Sequence, residues 1–181
     1  MAAAFRGNLW ISTNSGGDWT NLASKGISRL IWSSVASSAD GTTLVAAVYE
    51  GNLWTSTSSG SYWTEDTIEG TQKWQSVASS ATGMNLVAAV LGGNLWTSTN
   101  SGVSWLSVGS TQQWRSVASS ADGMTLVAAV YSGKLWTSTD SGGSWTEDTS
   151  VGSTKQWYSV ASSSDGTKLV AAVNNGKLWT I

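Results

Sequence analysis

The chain has 181 residues, 40 % hydrophobic and only 11 % charged, with a net charge of -2, which is apolar material enough for one ordinary domain. Its Lys and Arg residues stand singly, so no basic stripe exists to hold nucleic acid or an anionic membrane. Cys and His are both absent, which removes disulfides, thiolate metal sites and Cys nucleophiles along with the commonest metal ligand and general base; no metal or cofactor is expected.

The opening Met1-Ala2-Ala3-Ala4-Phe5-Arg6 is too short for the apolar core of a signal peptide. Apolar runs such as Leu126-Val127-Ala128-Ala129-Val130-Tyr131 fall far below the ~20 residues of a membrane-spanning helix. The sequence therefore predicts a soluble protein without direct membrane insertion, and leaves its compartment open.

Gly7-Asn8-Leu9-Trp10 opens a phrase that returns at Gly51-Asn52-Leu53-Trp54, Gly93-Asn94-Leu95-Trp96, Gly133-Lys134-Leu135-Trp136 and Gly176-Lys177-Leu178-Trp179, at intervals of 44, 42, 40 and 43 residues. Periods of this size belong to solenoids and propellers. Each unit divides into four short β-prone runs, a to d, as in a propeller blade. Run a is Trp114-Arg115-Ser116-Val117-Ala118-Ser119-Ser120, with copies from Trp32, Trp74 and Trp157. A turn such as Ala121-Asp122-Gly123 leads to run b, Leu126 to Val130, with copies from Leu44, Leu86 and Leu169. Run b is apolar throughout and reads as a strand covered on both faces. Run c is the Gly-x-Leu-Trp-Thr-Ser phrase, and run d the short segment at Trp19, Trp63, Trp105 and Trp145. With no Pro and no sustained helical period, helix content should be close to nil.

These runs predict an all-β propeller of four-stranded antiparallel blades in one domain, with 1–31 a partial blade, 32–73, 74–113 and 114–156 whole repeats, and 157–181 a C-terminal partial repeat. Run c occurs once more than the others. Four blades closed by the N- and C-terminal strands is the preferred count, with the N-terminal run d completing the C-terminal a-b-c, because an unpaired edge strand invites aggregation. The alternative is a five-sector ring or an open arc. A surplus strand is free to pair with another chain, opening a homo-oligomer or a place in a larger complex.

The turn between runs c and d reads Ser138-x-Asp140-x-Gly142-x-x-Trp145, which resembles the Asp-box of the sialidase-type and related β-propellers. In that motif a short acceptor bonds turn amides, Gly permits the bend and the aromatic packs it shut. The copies carry Asn14, Ser58, Asn100 and Asp140 as the acceptor, Gly16, Gly60, Gly102 and Gly142 at the bend, and Trp19, Trp63, Trp105 and Trp145 at the close. Such substitution suits a structural turn and not a catalytic or metal-binding acid. The resemblance implies a propeller whose Asp-boxes lie away from the active site. Sialidases of this kind also use an arginine cluster, but Arg6, Arg29 and Arg115 fall at non-equivalent repeat positions. A glycosidase needs two carboxyls across one cleft, whereas Glu65-Asp66 and Glu147-Asp148 are matched positions in separate repeats. The expectation is a protein without enzymatic activity.

Alternation of strand direction puts the a-b and c-d turns on one rim and the b-c and d-a connections on the other. The second rim varies along the chain: its tips are Tyr49-Glu50, Leu91-Gly92, Tyr131-Ser132 and Asn174-Asn175. Loops freed from structural duty are where binding is placed. There Trp32, Trp74, Trp114 and Trp157 stand beside Gln72, Lys73, Gln113, Arg115 and Lys155, near Tyr49 and Tyr131. An indole face with amide and cationic donors suits a sugar, so the first expectation is a non-enzymatic, lectin-like carbohydrate-binding module. The alternative is a protein-interaction or assembly scaffold, since some propellers with such turns serve as photosystem assembly or accessory factors. The partner is thus a glycan or another protein.

Overall fold

The structure, a computed structural model, describes residues 1–25, 30–67 and 70–180, the side chains of Phe5, Ser24 and Lys25 apart. Arg29, Ile68, Glu69 and Ile181 lie outside the described residues, as do 26–28 in the first d-a loop. The N-terminal part holds β1 (Ala2–Ala3), β2 (Phe5–Gly7), β3 (Leu9–Ile11), β4 (Thr20–Asn21) and a 3-10 turn at Leu22–Lys25. The first full sector is β5 (Leu30–Ser37), β6 (Leu44–Gly51), β7 (Leu53–Ser56) and β8 (Thr64–Asp66). The second is β9 (Gln72–Ser79), β10 (Leu86–Ser98) and the start of β11 (Leu106–Ser119); the third takes the rest of β11 with β12 (Leu126–Gly133), β13 (Leu135–Ser138) and β14 (Thr146–Asp148). The fourth is β15 (Lys155–Ser162), β16 (Leu169–Val173) and β17 (Leu178–Thr180). All pairings are antiparallel. The described residues contain no α-helix.

Run b forms the second strand of each sector. From Leu44 to Val48, Leu86 to Val90 and Leu126 to Val130 every residue is buried, as a strand covered on both faces requires. One face packs within its own sector and the other against the next. In one cluster Val45, Ala47 and Leu53 of the first sector meet Trp74, Val77, Leu86, Ala88, Val90 and Trp105 of the second. The same contact recurs twice, with Val87, Ala89 and Leu95 against the third sector and Val127, Ala129 and Leu135 against the fourth. In the second, third and fourth sectors the run a indole packs edge-on against the run c indole. Trp74 and Trp96, Trp114 and Trp136, and Trp157 and Trp179 have ring centroids 6.1 to 6.3 Å apart, within the favourable range for aromatic pairs.

Polar links between sectors repeat with the same period. Ser34, Ser76 and Ser116 each accept, at Oγ, the backbone N–H of Val77, Val117 and Val160 in the next sector, at 3.1, 3.1 and 3.2 Å. Ala39 N–H donates to the carbonyl of Ala81, Ala81 to Ala121, and Ala121 to Ser164, at 2.7 to 2.8 Å. On the opposite rim the end of each second strand pairs with the first strand of the next sector, Tyr49 opposite Lys73, Leu91 opposite Gln113 and Tyr131 opposite Gln156. The register shifts at Glu50, Gly92 and Ser132, all at positive φ.

The expected ring closure by N- and C-terminal strands is corrected. β4 pairs with β3 and not with β17, and the described sheets run from β17 to β2 without closing. The N-terminal strands stand as a partial sector of their own, packing Leu9 and Leu22 against Trp32, Ala46 and Val48. The described chain is an open arc: β4 is held by β3 at the edge of the N-terminal sheet, and β17 ends the other sheet without meeting it.

Candidate functional site

The turns of one rim are built for rigidity. In all four c-d turns the glycine N–H donates to a serine hydroxyl four residues back: Gly16 to Ser12, Gly60 to Ser56, Gly102 to Ser98 and Gly142 to Ser138, at 2.9 to 3.0 Å. The acceptors Asn14, Ser58, Asn100 and Asp140 receive the N–H of Asp18, Tyr62, Ser104 and Ser144 at 2.8 to 2.9 Å. Three different side chains thus perform one task, which fits a structural role. Ser59, Ser101 and Ser141 donate across to the a-b turn of their own sector, at the carbonyls of Thr42, Met84 and Met124, so the two turns of each sector are tied on the same rim.

Hydrogen bonds hold several turn carboxylates ionised. Asp140 is pushed down to about 2, chiefly by the Ser144 hydroxyl and then its amide. Asp40 and Asp165 are also lowered to about 2, first by Ser38 and Ser163 respectively, and Asp122 is lowered by Ser120. Since the folded values lie below those of an unfolded chain, near 3.9, these groups bind protons more readily when unfolded. Their contribution is complete above about pH 5 and is lost as pH falls from about 4 through about 2. The thermal midpoint should therefore stay flat from pH 7 to about pH 5 and drop below about pH 4. A midpoint unchanged down to pH 2 would contradict this account.

On the opposite rim the structure forms two hollows of about 540 Å³ each. One is lined by Glu50, Thr71, Gln72, Lys73, Val90, Leu91, Gly92 and Gln113. The other is lined by Arg6, Ile31, Trp32, Ser33, Tyr49, Glu50, Gln75, Leu91 and Arg115. They meet at Glu50 and Leu91. The positive φ of Glu50 (57°) and the shift beside it set this tip at the junction. Arg115 donates to Oε1 of Gln75 on the neighbouring sector, and its guanidinium lies 4.6 Å from the ring centroid of Tyr158, within cation–π range.

The structure therefore brings Gln72, Lys73 and Gln113 together in one hollow, and Tyr49 and Arg115 in the other. Trp32 also lines the second hollow, although it is only 4 % exposed; the remaining candidates line neither. Trp32, Trp74, Trp114 and Trp157 are between 0 and 4 % exposed; they are wedges in the core and offer no ring face to a sugar. The physical reason is a bulge just after each: the register shifts between Trp114 and Ser116 and at the matching points of the other sectors, turning the indole inward. Lys155 lies over the Trp179 ring at 4.6 Å, and Tyr131 pairs with Gln156 farther along the arc. The sequence puts Glu50 and Leu91 on the variable rim only as loop tips, and singles out neither Gln75 nor Arg6 as a lining residue. One signal was present: Ser33, Gln75, Arg115 and Tyr158 occupy the single variable position of the otherwise constant Trp-x-Ser-Val-Ala-Ser-Ser run.

Among the described residues no cluster of His, Cys, Asp or Glu is placed to hold a metal ion. No protein-family model matches the sequence, and no curated protein is similar to it. Solved structures are. An ancestral GH74 enzyme superposes with a TM-score of 0.75 at 16 % identity, over 96 % of this chain and 28 % of its own. YCF48 from Cyanidioschyzon merolae gives 0.70 at 17 % identity, over 97 % of this chain and 63 % of its own. YCF48 bound to D1 peptide gives 0.55 at 14 % identity, over 82 % of this chain and 64 % of its own. This chain thus spans less than a third of the GH74 enzyme and under two thirds of YCF48, and at such identities the likeness concerns the fold: an all-β, propeller-type arrangement of antiparallel sheets.

Proposed function

We propose that the chain is a non-enzymatic, Asp-box-type propeller module that binds another protein, holding an extended segment across its variable rim. The observation that carries this reading is the pair of hollows joined at Glu50 and Leu91. A peptide presents alternating amide donors and acceptors with side chains of either charge. Gln72, Gln75 and Gln113 supply both amide functions, Lys73, Arg115 and Glu50 supply both signs, and Leu91 with Tyr49 supplies apolar anchorage of the kind enriched at interfaces. YCF48, of similar fold, offers a precedent in its structure bound to D1 peptide. The described lining contains a single carboxylate, Glu50, where glycoside hydrolysis uses a facing pair. Glu65 and Glu147 stand on β8 and β14, two sectors apart.

A displayed library of random peptides tests the proposal. Peptides selected by the chain should lose at least about tenfold in affinity, the effect of removing one interfacial hot spot, in Arg115→Ala and in Glu50→Lys at unchanged thermal midpoint. If no peptide is enriched while a glycan array gives signal, or if selected peptides bind both variants as well as the parent, the proposal fails.

A further inference from the structure

We propose that a neutral oligosaccharide binds in a groove between the first and second sectors, at their c-d turns. The groove shares no lining residue with the two hollows of the variable rim. Its volume is about 500 Å³, the size of a small-molecule site. One wall is the hairpin of β7 and β8, where Thr55 pairs with Thr64 and Leu53 with Asp66. The other is the turn Ser101-Gly102-Val103 of the second sector. The walls press together at one point, since a Cβ on Gly102 would strike Cγ2 of Thr55. Around that point lies the hollow, lined by Tyr62 and Thr64 from one sector and Val103 from the next.

Tyr62 and Val103 depart from the repeat in a way the turns do not require. In each c-d turn one residue gives its N–H to the acceptor's side chain: Asp18, Tyr62, Ser104 and Ser144. The side chains of Asp18, Ser104 and Ser144 are bonded to the acceptor as well, whereas that of Tyr62 stands 81 % exposed. The residue before it gives its N–H to the acceptor's carbonyl: Gly17, Ser61, Val103 and Gly143. Val103 is the one bulky member of that set and is 77 % exposed. Two large side chains that the turn geometry does not call for thus line one groove from opposite sectors. Tyr62 offers a flat ring to the C–H face of a pyranose, and Val103 a second apolar contact. Thr57 and Thr64 offer hydroxyls and Asp66 a carboxylate, the donors and acceptors that sugar hydroxyls take. Among the described lining residues there is no Lys or Arg, while Glu65 and Asp66 are both present. Like charge therefore disfavours an acidic sugar there, and a neutral one is left.

Isothermal titration calorimetry of the full chain reads the result. The probes are neutral oligosaccharides of glucose, galactose, mannose and xylose, with oligogalacturonate as the acidic probe and spermidine as the cationic one. The parent should bind at least one neutral series. Tyr62→Ser and Val103→Gly install residues that other copies of the turn already carry, so both should keep the thermal midpoint. Each should weaken the sugar, Tyr62→Ser by about tenfold or more, as the loss of a principal contact does. Tyr62→Phe keeps the ring and should bind as the parent does. So should Met124→Ala, a change at an exposed residue outside the groove. A parent that binds no neutral oligosaccharide, binding that survives Tyr62→Ser, equal loss in Met124→Ala, or uptake of oligogalacturonate or spermidine in place of the neutral series would each overturn the proposal.

Discussion

Trp114→Ala should unfold the protein or bring it to the edge of unfolding. The side chain is 1 % exposed and sits where the second and third sectors meet, among Val87, Ala89, Leu95, Val117 and Val130. Its ring lies edge-on to Trp136 at 6.1 Å and tilted against Trp145 at 6.4 Å, and its Nε1 donates to the Ser110 carbonyl at 3.1 Å. Truncation forfeits the transfer energy of the indole and leaves a cavity that strands on two sides cannot collapse to fill, a loss of about 3–5 kcal/mol. Domains of ordinary size are stable by only about 5–15 kcal/mol. Urea unfolding monitored by circular dichroism should show the midpoint fall by a third or more. Trp19→Ala, at the exposed copy of another repeat position, should move it little. If the two variants are equally stable, the assignment of the run a indoles to the core is wrong.

The second large effect is expected at Gly123. Its φ is +76°, and a Cβ there would lie 2.5 Å from the Asn85 Cβ and 2.9 Å from the Ser80 Cβ, both on the preceding sector. Gly41 is the same turn position in the first sector, with φ +72° and open space around it. Gly41→Ala therefore isolates the cost of a left-handed backbone, about 1–2 kcal/mol. Gly123→Ala adds the cost of overpacking, typically about 1–3 kcal/mol. The difference between the two denaturation free energies measures how tightly one sector is pressed on its neighbour. Equal losses would mean that the sectors yield freely at this contact.

Much of this architecture was legible in the chain because each level of the pattern agreed with the others. The spacing of the Leu-Trp phrases announced the repeat, the unbroken apolar run Leu126 to Val130 announced a strand buried on both faces, and the tolerance of Asn, Ser and Asp at one turn position announced a backbone acceptor. The direction of the run a tryptophans was not legible. Alternation along a strand assigns faces only while the pleat is regular, and the bulge between Trp114 and Ser116 breaks the count, so polar neighbours such as Gln113 gave no guide to where the indole points. The hollows escaped notice for a related reason: Glu50, Leu91 and Gln113 come from different sectors and meet only through pairing between sectors. Closure depends on the angle turned per sector, a property of packing that no single residue encodes.

The three links between neighbours, the indole wedge, the Ser to Val bond and the bond from Ala39 through Ala81 and Ala121 to Ser164, all reach one sector ahead and no further. Stability in such an array grows as a sum of like increments. Duplication of one 40-odd-residue unit adds one of each link and disturbs none already present. Lengthening by whole repeats is then nearly neutral, while a duplication out of phase leaves a serine without its valine amide. Selection on copy number can act here without any compensating change in the units themselves.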